Sequence, residues 1–375
     1  MKGVGESLFE SVPNFSEGRD DQATAAIAGA ARQAHVLDVD PDPDHNRTVV
    51  SLAGLGTNVV EALISSVAVA VERIDVREHR GVHPRIGAAD VVPIVPLGVT
   101  TMAESRDLAL TVGARIWDEL GVPVYFYGEH QSLADIRGGR GRLDLGGPSL
   151  HPSAGAVCVG ARAKLVAFNV IMGGVDVIAA RSLARSVRER AGGIRGVQAL
   201  AFELPGGRVQ LSMNLFRLDE TSPQAVVAEL ERRGVTIVSA QLVGLCPATI
   251  AGPAAAGRLL EARLAAAAAR AGAERCADRG GAEHAALATR LRREADALAR
   301  LGADQGELLA GAERAAALVP VLRAAGVLDV ELQALLEAAA AGLRDAITTE
   351  TSSAYTARIA ALDRRLGPAT GRAGE

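Results

Sequence analysis

The sequence predicts an α+β protein: two α/β lobes with mixed sheets and outer helices, followed by an Ala-rich helical C-terminal region. Three observations carry this. Up to about residue 250, short β-branched runs alternate with longer stretches whose apolar positions recur at helical spacing. Beyond that point the composition shifts to Ala, Leu, Arg and Glu, as in LAAAAAR at 264–270, a strong helix former. Hydrophobic residues make up 49% of the chain but aromatics only 3%, so the core is sizeable and built from aliphatic side chains. The 375 residues suggest two or three units at roughly 100–200 residues each. They divide as 1–150, including a connector, 151–250 and 251–375.

In the first lobe, Ala-rich 21–33 reads as a helix, 35–40 (HVLDVD) and 46–52 (NRTVVSL) as strands, and 57–73 as an amphipathic helix. Residues 90–95 (DVVPIV) form a strand whose proline points to a bulge or an edge position. A helix over 102–120 ends at Gly121, placed as a C-cap glycine, and 122–127 (VPVYFY) is a further strand. In the second lobe, 156–170 reads as two strands meeting near 162–164, and 174–190 as a helix. Strands at 197–204 and 208–216 are joined by a Pro-Gly-Gly turn, a hairpin signal. A helix over 223–233 and a strand over 235–240 complete it. Both halves share a strand–helix–strand grammar without visible sequence repetition, and a ligand is expected in a cleft between the lobes. In the tail, Gly280-Gly281, Gly302, Pro320 and Gly326 break the helical pattern into a small bundle, and 364–375 is expected to fray.

Charge and cysteine usage exclude several classes. Forty Lys plus Arg face forty-four Asp plus Glu, a net charge of -4, so no nucleic-acid partner is implied. Cys158, Cys246 and Cys276 lie far apart, which fits neither a disulfide scaffold nor a metal site and suits a reducing compartment. No apolar run reaches about 18 residues, so no membrane partner is implied and a cytoplasmic protein is expected.

The densest unusual segment is 75–90, DVREHRGVHPRIGAAD. Pro84 biases His83 away from the helical region, so the ring can be aimed into a cleft. Imidazole titrates near neutrality and suits general-base work. Arg77, Arg80 and Arg85 around it match carboxylates in bidentate fashion. The competing reading is a solvated loop. In 38–48, DVDPDPDHNRT, four aspartates follow a strand, but the calcium-loop glycine and glutamate are absent and Arg47 opposes a cation. Asp40 is placed to orient a histidine or polarise an amine. In 11–19, SVPNFSEGR, Ser16 or Asn14 is a candidate helix cap, leaving N–H groups for an anion; plain capping is the alternative. His45 beside the acidic turn is ambiguous. The spacing of His79 and His83 lacks a metalloprotease helix, and no metal is expected. The glycine-rich stretch IRGGRGRLDLGGP reads as a mobile connector or lid, with Arg137, Arg140 and Arg142 able to meet an acidic ligand.

The segments SVPNFSEG, DVDPDPDHNRTV, HRGVHPRIGAAD and LGVPVYFYGE, in this order, resemble the glutamate formimidoyltransferase (formiminotransferase) family. GARAKLVAFNV, LSMNL and SAQLVGLCP extend the likeness, which spans roughly residues 8 to 250 and continues more weakly to about 300. The resemblance implies transfer of the formimino group of N-formimino-L-glutamate to N5 of tetrahydrofolate, a co-substrate, giving 5-formiminotetrahydrofolate and L-glutamate in histidine degradation. It implies a tunnel between the lobes and a homodimer. Within the family motifs, His83 of HPR matches the catalytic histidine, Asp40 the acidic residue ending DVD, and Arg47 the NRT arginine. Arg47, Arg80, Arg85 and Asn14 are then the expected substrate-binding residues. The stretch between YGE and PS is shorter than is usual for the family, and the Ala-Pro-Gly-Gly-Gly-Ser stretch of its cyclodeaminase domain is absent, so cyclodeaminase activity is not expected. The alternatives are a formyltransferase using N-formylglutamate, a non-catalytic folate or carboxylate binder, and a scaffold that merely contains the lobes.

Overall fold

β-branched runs become strands, and the polar, glycine-rich segments between them become the loops that carry the chemistry. The computed structural model describes residues 3–348. They form two compact units, the first ending at Ala163 and the second beginning at Lys164.

In the first unit the elements run β1 (Leu8–Ser11), β2 (Asn14–Phe15), α1 (Asp21–Ala30), β3 (His35–Asp42), β4 (Arg47–Leu55), α2 (Gly56–Arg73), β5 (Ala89–Pro96), α3 (Met102–Leu120), β6 (Val124–Phe126), α4 (Leu133–Arg137) and β7 (Val157–Ala161). β1 and β2 act as one interrupted strand between β4 and β5, and β3 pairs with β4. This is a β-α-β-β-α-β unit with antiparallel strands. β7 and then β6 extend it in parallel from β5, making a seven-stranded mixed sheet among the described residues. Because β7 belongs to this sheet, the unit reaches past 150.

One face of the sheet is apolar: Phe9, Phe15, Val50, Leu52, Val92 and Ile94 are buried with Val59, Leu63 and Val67 of α2 and Val112 and Ile116 of α3. Alternation along each strand sends the neighbouring side chains to the opposite face. Caps define the ends of α1 and α3. Thr101 and Glu104 form a capping box at the start of α3, and Gly121 ends it at φ 64, as its position suggests. α1 is capped by Asp20, not by Ser16 or Asn14: its carboxylate accepts from the Gln22 and Ala23 N–H groups. Asp20 stands directly before the first helical residue, where a cap must stand, whereas Ser16 bonds the Gly87 carbonyl across the sheet.

Pro93 does not mark an edge. β5 is central, and Pro93 lies opposite the Val12–Pro13 gap between β1 and β2, where no ladder bond is required of its missing N–H.

The second unit contains β8 (Val166–Gly173), α5 (Val177–Val187), β9 (Val197–Leu204), β10 (Arg208–Leu215), α6 (Pro223–Arg232) and β11 (Thr236–Val243). Its four-stranded sheet, ordered β11-β8-β10-β9, is antiparallel throughout rather than mixed. It is the same β-α-β-β-α-β unit without the parallel extension. Among the described residues four α-helices follow: α7 (Leu260–Arg279), α8 (Ala282–Ala299), α9 (Gln305–Ala324) and α10 (Val330–Thr348). Gly280, Gly281, Gly302 and Gly326 lie between them, but Pro320 sits inside α9 without ending it. Leu259, Ala262, Leu301, Leu308, Ala312 and Leu343 join Phe168, Leu211, Leu215 and Leu230 in one apolar cluster, so the helices share a core with the second sheet. Expectations for 364–375 concern residues outside those described.

Candidate functional site

The second face of the first sheet is polar where strands β2, β3 and β4 meet. Cross-strand partners share a face, so Asn14, Val49 and Asp40 form one row. Asp42 and Arg47 form the next row, and Asp38 and Ser51 the row on the other side. Asp40 therefore lies on the same face as Arg47, diagonal to it, in half-buried backbone of β3.

The β3–β4 turn holds this arrangement. Asp42 accepts from the backbone N–H groups of Asp44 and His45, both at 2.9 Å, which starts the turn. Asn46 closes it at φ 47, a conformation its short amide side chain tolerates. Its Oδ1 accepts from the Gly18 N–H at 2.9 Å and its Nδ2 donates to the Arg80 carbonyl at 3.2 Å. Gly18 is required here, because a Cβ would come within 2.6 Å of the Arg47 N and the Asp42 O. The N–H groups of Gly18, Arg19 and Asp20, where an anion was expected, are taken by the Glu17 carboxylate at 2.7–3.0 Å.

The histidine loop docks on this turn. His79 donates through Nε2 to the Asn46 carbonyl at 2.8 Å and accepts from Arg85 at Nδ1. Arg85 also donates to the carbonyls of His83, at 2.8 Å, and Gly81, at 3.1 Å. Its guanidinium thus shapes the loop, while Arg80 is exposed. Downstream, a Cβ on Gly87 would meet the Ala156 carbonyl at 2.0 Å, so only glycine lets the loop clamp onto 154–156.

His83 is half-buried, and both ring nitrogens are engaged. Nδ1–H donates to the Pro84 carbonyl at 2.7 Å, and Nε2 accepts from Arg47 Nη1 at 2.8 Å. A carbonyl only accepts and a guanidinium only donates, so the tautomer is settled by its partners. Arg47 Nη2 donates to Asn14 Oδ1, and Asn14 Nδ2 donates to the Val12 carbonyl at 2.8 Å. The His45 ring lies 5.9 Å from that of His83, centroid to centroid.

Burial, then the positive charges of Arg47 and Arg137 and the His45 ring, push the His83 pKa far below the imidazole range. The ring is neutral at physiological pH. Burial also lowers Arg47 to about 10, against the opposing pull of Asp90, so it remains a cation.

Asp90 and Arg137 complete the cluster, and sequence reasoning gave Asp90 no role. The pairing of β2 with β5 skips Asp90, since Asn14 faces Val91 and Phe15 faces Ala89. A bulge of this kind re-aims its extra side chain. The buried Asp90 carboxylate accepts from the Ile86 N–H and from Arg137 Nη2 of α4, both at 2.6 Å. Its sequence signal was a lone acid at the head of an apolar strand. Arg47 Nε, Ser51 Oγ, Tyr127 OH and Arg137 Nε are all buried without a hydrogen-bond partner. Buried polar atoms are rarely left so unless a ligand or water completes them. Tyr127, raised to about 12 by burial, lies across Gly160, whose missing side chain leaves room for the ring. The result is a neutral imidazole beside two guanidiniums, suited to binding a carboxylate and moving a proton. Among the described residues no three metal-ligating side chains converge.

The chain is similar to known proteins over the same region. Residues 8–162 match the model of the formiminotransferase domain, N-terminal subdomain. The chain is 38% identical over 268 residues to a glutamate formimidoyltransferase of Thermoplasma acidophilum, covering 64% of this chain and 88% of that protein. It is 33% identical over 267 residues to one from Streptococcus pyogenes serotype M1, covering 64% of this chain and 89% of that protein. The formimidoyltransferase-cyclodeaminase of Sus scrofa is 36% identical over 276 residues, covering 64% of this chain and 50% of that protein. A likeness this extensive means that the chain belongs to the formiminotransferase family.

Proposed function

We propose that this protein is a glutamate formimidoyltransferase, moving the formimino group of N-formimino-L-glutamate to N5 of tetrahydrofolate. The observation that carries the reading is the neutral His83 ring held against Arg47, in a chain aligned with proteins named for that activity. In this reading N5 attacks the amidine carbon and forms the new C–N bond. His83 Nε2 takes the N5 proton, then returns it to the glutamate nitrogen as the old C–N bond breaks. General-base help of this kind contributes on the order of 10²–10⁴ in rate. Asp40, on the face shared with Arg47, supplies negative charge when the ring is protonated. Arg47, with its unpartnered Nε, and Asn14 bind a donor carboxylate, and Arg137 adds a second cation. Arg80 supplies charge from the exposed rim, and Arg85 acts by holding the loop that carries His83.

The test is incubation with tetrahydrofolate and N-formimino-L-glutamate, with N-formyl-L-glutamate in a parallel reaction. Appearance of 5-formiminotetrahydrofolate and glutamate is the expected result. Turnover of the formyl donor alone, or of neither donor, would overturn the assignment.

A further inference from the structure

We propose that Arg47 is a ligand-displaced cap on the His83 base: its guanidinium occupies the ring's acceptor nitrogen in the free protein, and a carboxylate of the acidic donor draws it away. This rests on the donor assignment made above and adds how the site is switched on.

The geometry leaves the ring unable to act before a ligand binds. Its Nδ1–H is committed to the Pro84 carbonyl, and its one lone pair points at Arg47 Nη1, 2.8 Å away. A proton arriving at Nε2 would displace that hydrogen bond and set two cations side by side. The surrounding charges add to this. Arg137 of α4 is positive, the His45 ring from the β3–β4 turn is a close neighbour, and Arg85 donates to the His83 carbonyl from within the loop. The opposing charges Asp90 of β5 and Asp42 of β3 act on Arg47, Asp90 is already paired with Arg137, and Asp40 of β3 lies on the face shared with Arg47.

Arg47 has reason to leave. Its side-chain hydrogen bonds go to one neutral imidazole and one amide oxygen, with Asp90 and Asp42 attracting it from further off, while its Nε is buried and unpartnered. A carboxylate offers the Nε and Nη edge a bidentate, charge-assisted pair, roughly twice as strong as a neutral hydrogen bond. The same anion offsets the positive charges that, added to burial, keep the ring unprotonated. Binding of the donor therefore frees the lone pair and raises the basicity of Nε2 together, so an empty site keeps no active base.

The experiment is an NMR pH titration of isotope-labelled histidine rings in the full chain, with His83 assigned from the spectrum of His83→Gln. In the free protein His83 is expected to stay neutral from pH ~8 down to ~5, unlike an ordinary histidine near ~6.5. Saturating L-glutamate, the dicarboxylate product, should raise its proton affinity at least ~10-fold, about one pKa unit. Arg47→Met should raise it comparably without ligand, although burial still holds it below the ordinary value. A free His83 that titrates near ~6.5 overturns the cap, as does an unchanged ring in both the glutamate-bound protein and Arg47→Met. The glutamate arm uses the unaltered chain, so a variant that misfolds does not decide the result. If the NMR shifts appear but no transfer from either donor occurs, the donor assignment fails and the cap stands. If transfer occurs with a freely titrating His83, the cap alone fails.

Discussion

Removing the Asp90 carboxylate should destabilise the first unit more than any change at the exposed arginines. The carboxylate is 2% exposed and accepts two short bonds, from the Ile86 N–H and from Arg137. Asp90→Ala strands a buried guanidinium next to Arg47 and leaves a backbone N–H unpaired. Breaking a buried pair by deleting one partner costs about 3–5 kcal/mol. The Arg137 side chain is 18% exposed, so water takes up part of its charge and the lower figure, about 3 kcal/mol, applies. The chain's single tryptophan, Trp117 in α3, packs against the first-unit core, so its fluorescence reports that unit. With a urea m-value of about 2 kcal/mol/M, the unfolding midpoint should fall by about 1.5 M. Asp90→Asn keeps an acceptor for Ile86 and should fall by less. A midpoint within about 0.3 M of the unaltered protein, at unchanged m, would refute the claim that this bulged acid holds α4 and the histidine loop together.

Three further outcomes are expected. His83→Ala should lower the transfer rate by about 10²–10⁴ while Trp117 still reports cooperative unfolding, and near-normal turnover would remove His83 from the chemistry. Gly18→Ala forces a Cβ to within 2.6 Å of the Arg47 N and the Asp42 O, so urea melts should show a loss of about 1–3 kcal/mol and kinetics a higher KM for the donor. At the α3 capping box, bonds from Ser7 and Thr101 hold Glu104 at about 2 instead of 4.5. A carboxyl depressed on folding stabilises above its unfolded value, so this contribution is complete above about 4.5 and is lost as pH falls toward about 2. The stability gap between the unaltered protein and Glu104→Gln should close over that window, and a gap independent of pH would contradict it.

Much of the secondary structure was legible because it rests on local signals. Helical spacing over 57–73 and 102–120, the glycine stop at Gly121 and the Pro-Gly-Gly turn before Arg208 each act within one or two turns of chain. Membership in the family was equally legible, since contiguous motifs carry it. Local signals misled where long-range pairing decided. Pro93 reads locally as a bulge or an edge position, yet it sits at the sheet centre because the neighbouring strand is interrupted opposite it, and the bulge of β5 falls at Asp90. Pro320 was counted as a helix stop, yet α9 runs through it, with Leu318 and Leu322 buried on either side.

By itself the sequence determined which residue types were available: a proline-restricted histidine in an arginine-rich segment, an aspartate on a predicted strand and an arginine in the NRT motif. Which of those arginines meets the imidazole was decided only by the tertiary structure. Arg85, nearest in sequence, turns back to brace its own loop, while Arg47 arrives from another strand and Arg137 from a short helix. The physical reason is that strand register and a single bulge at Asp90 set the direction of each side chain, and neither is written in any short stretch of chain.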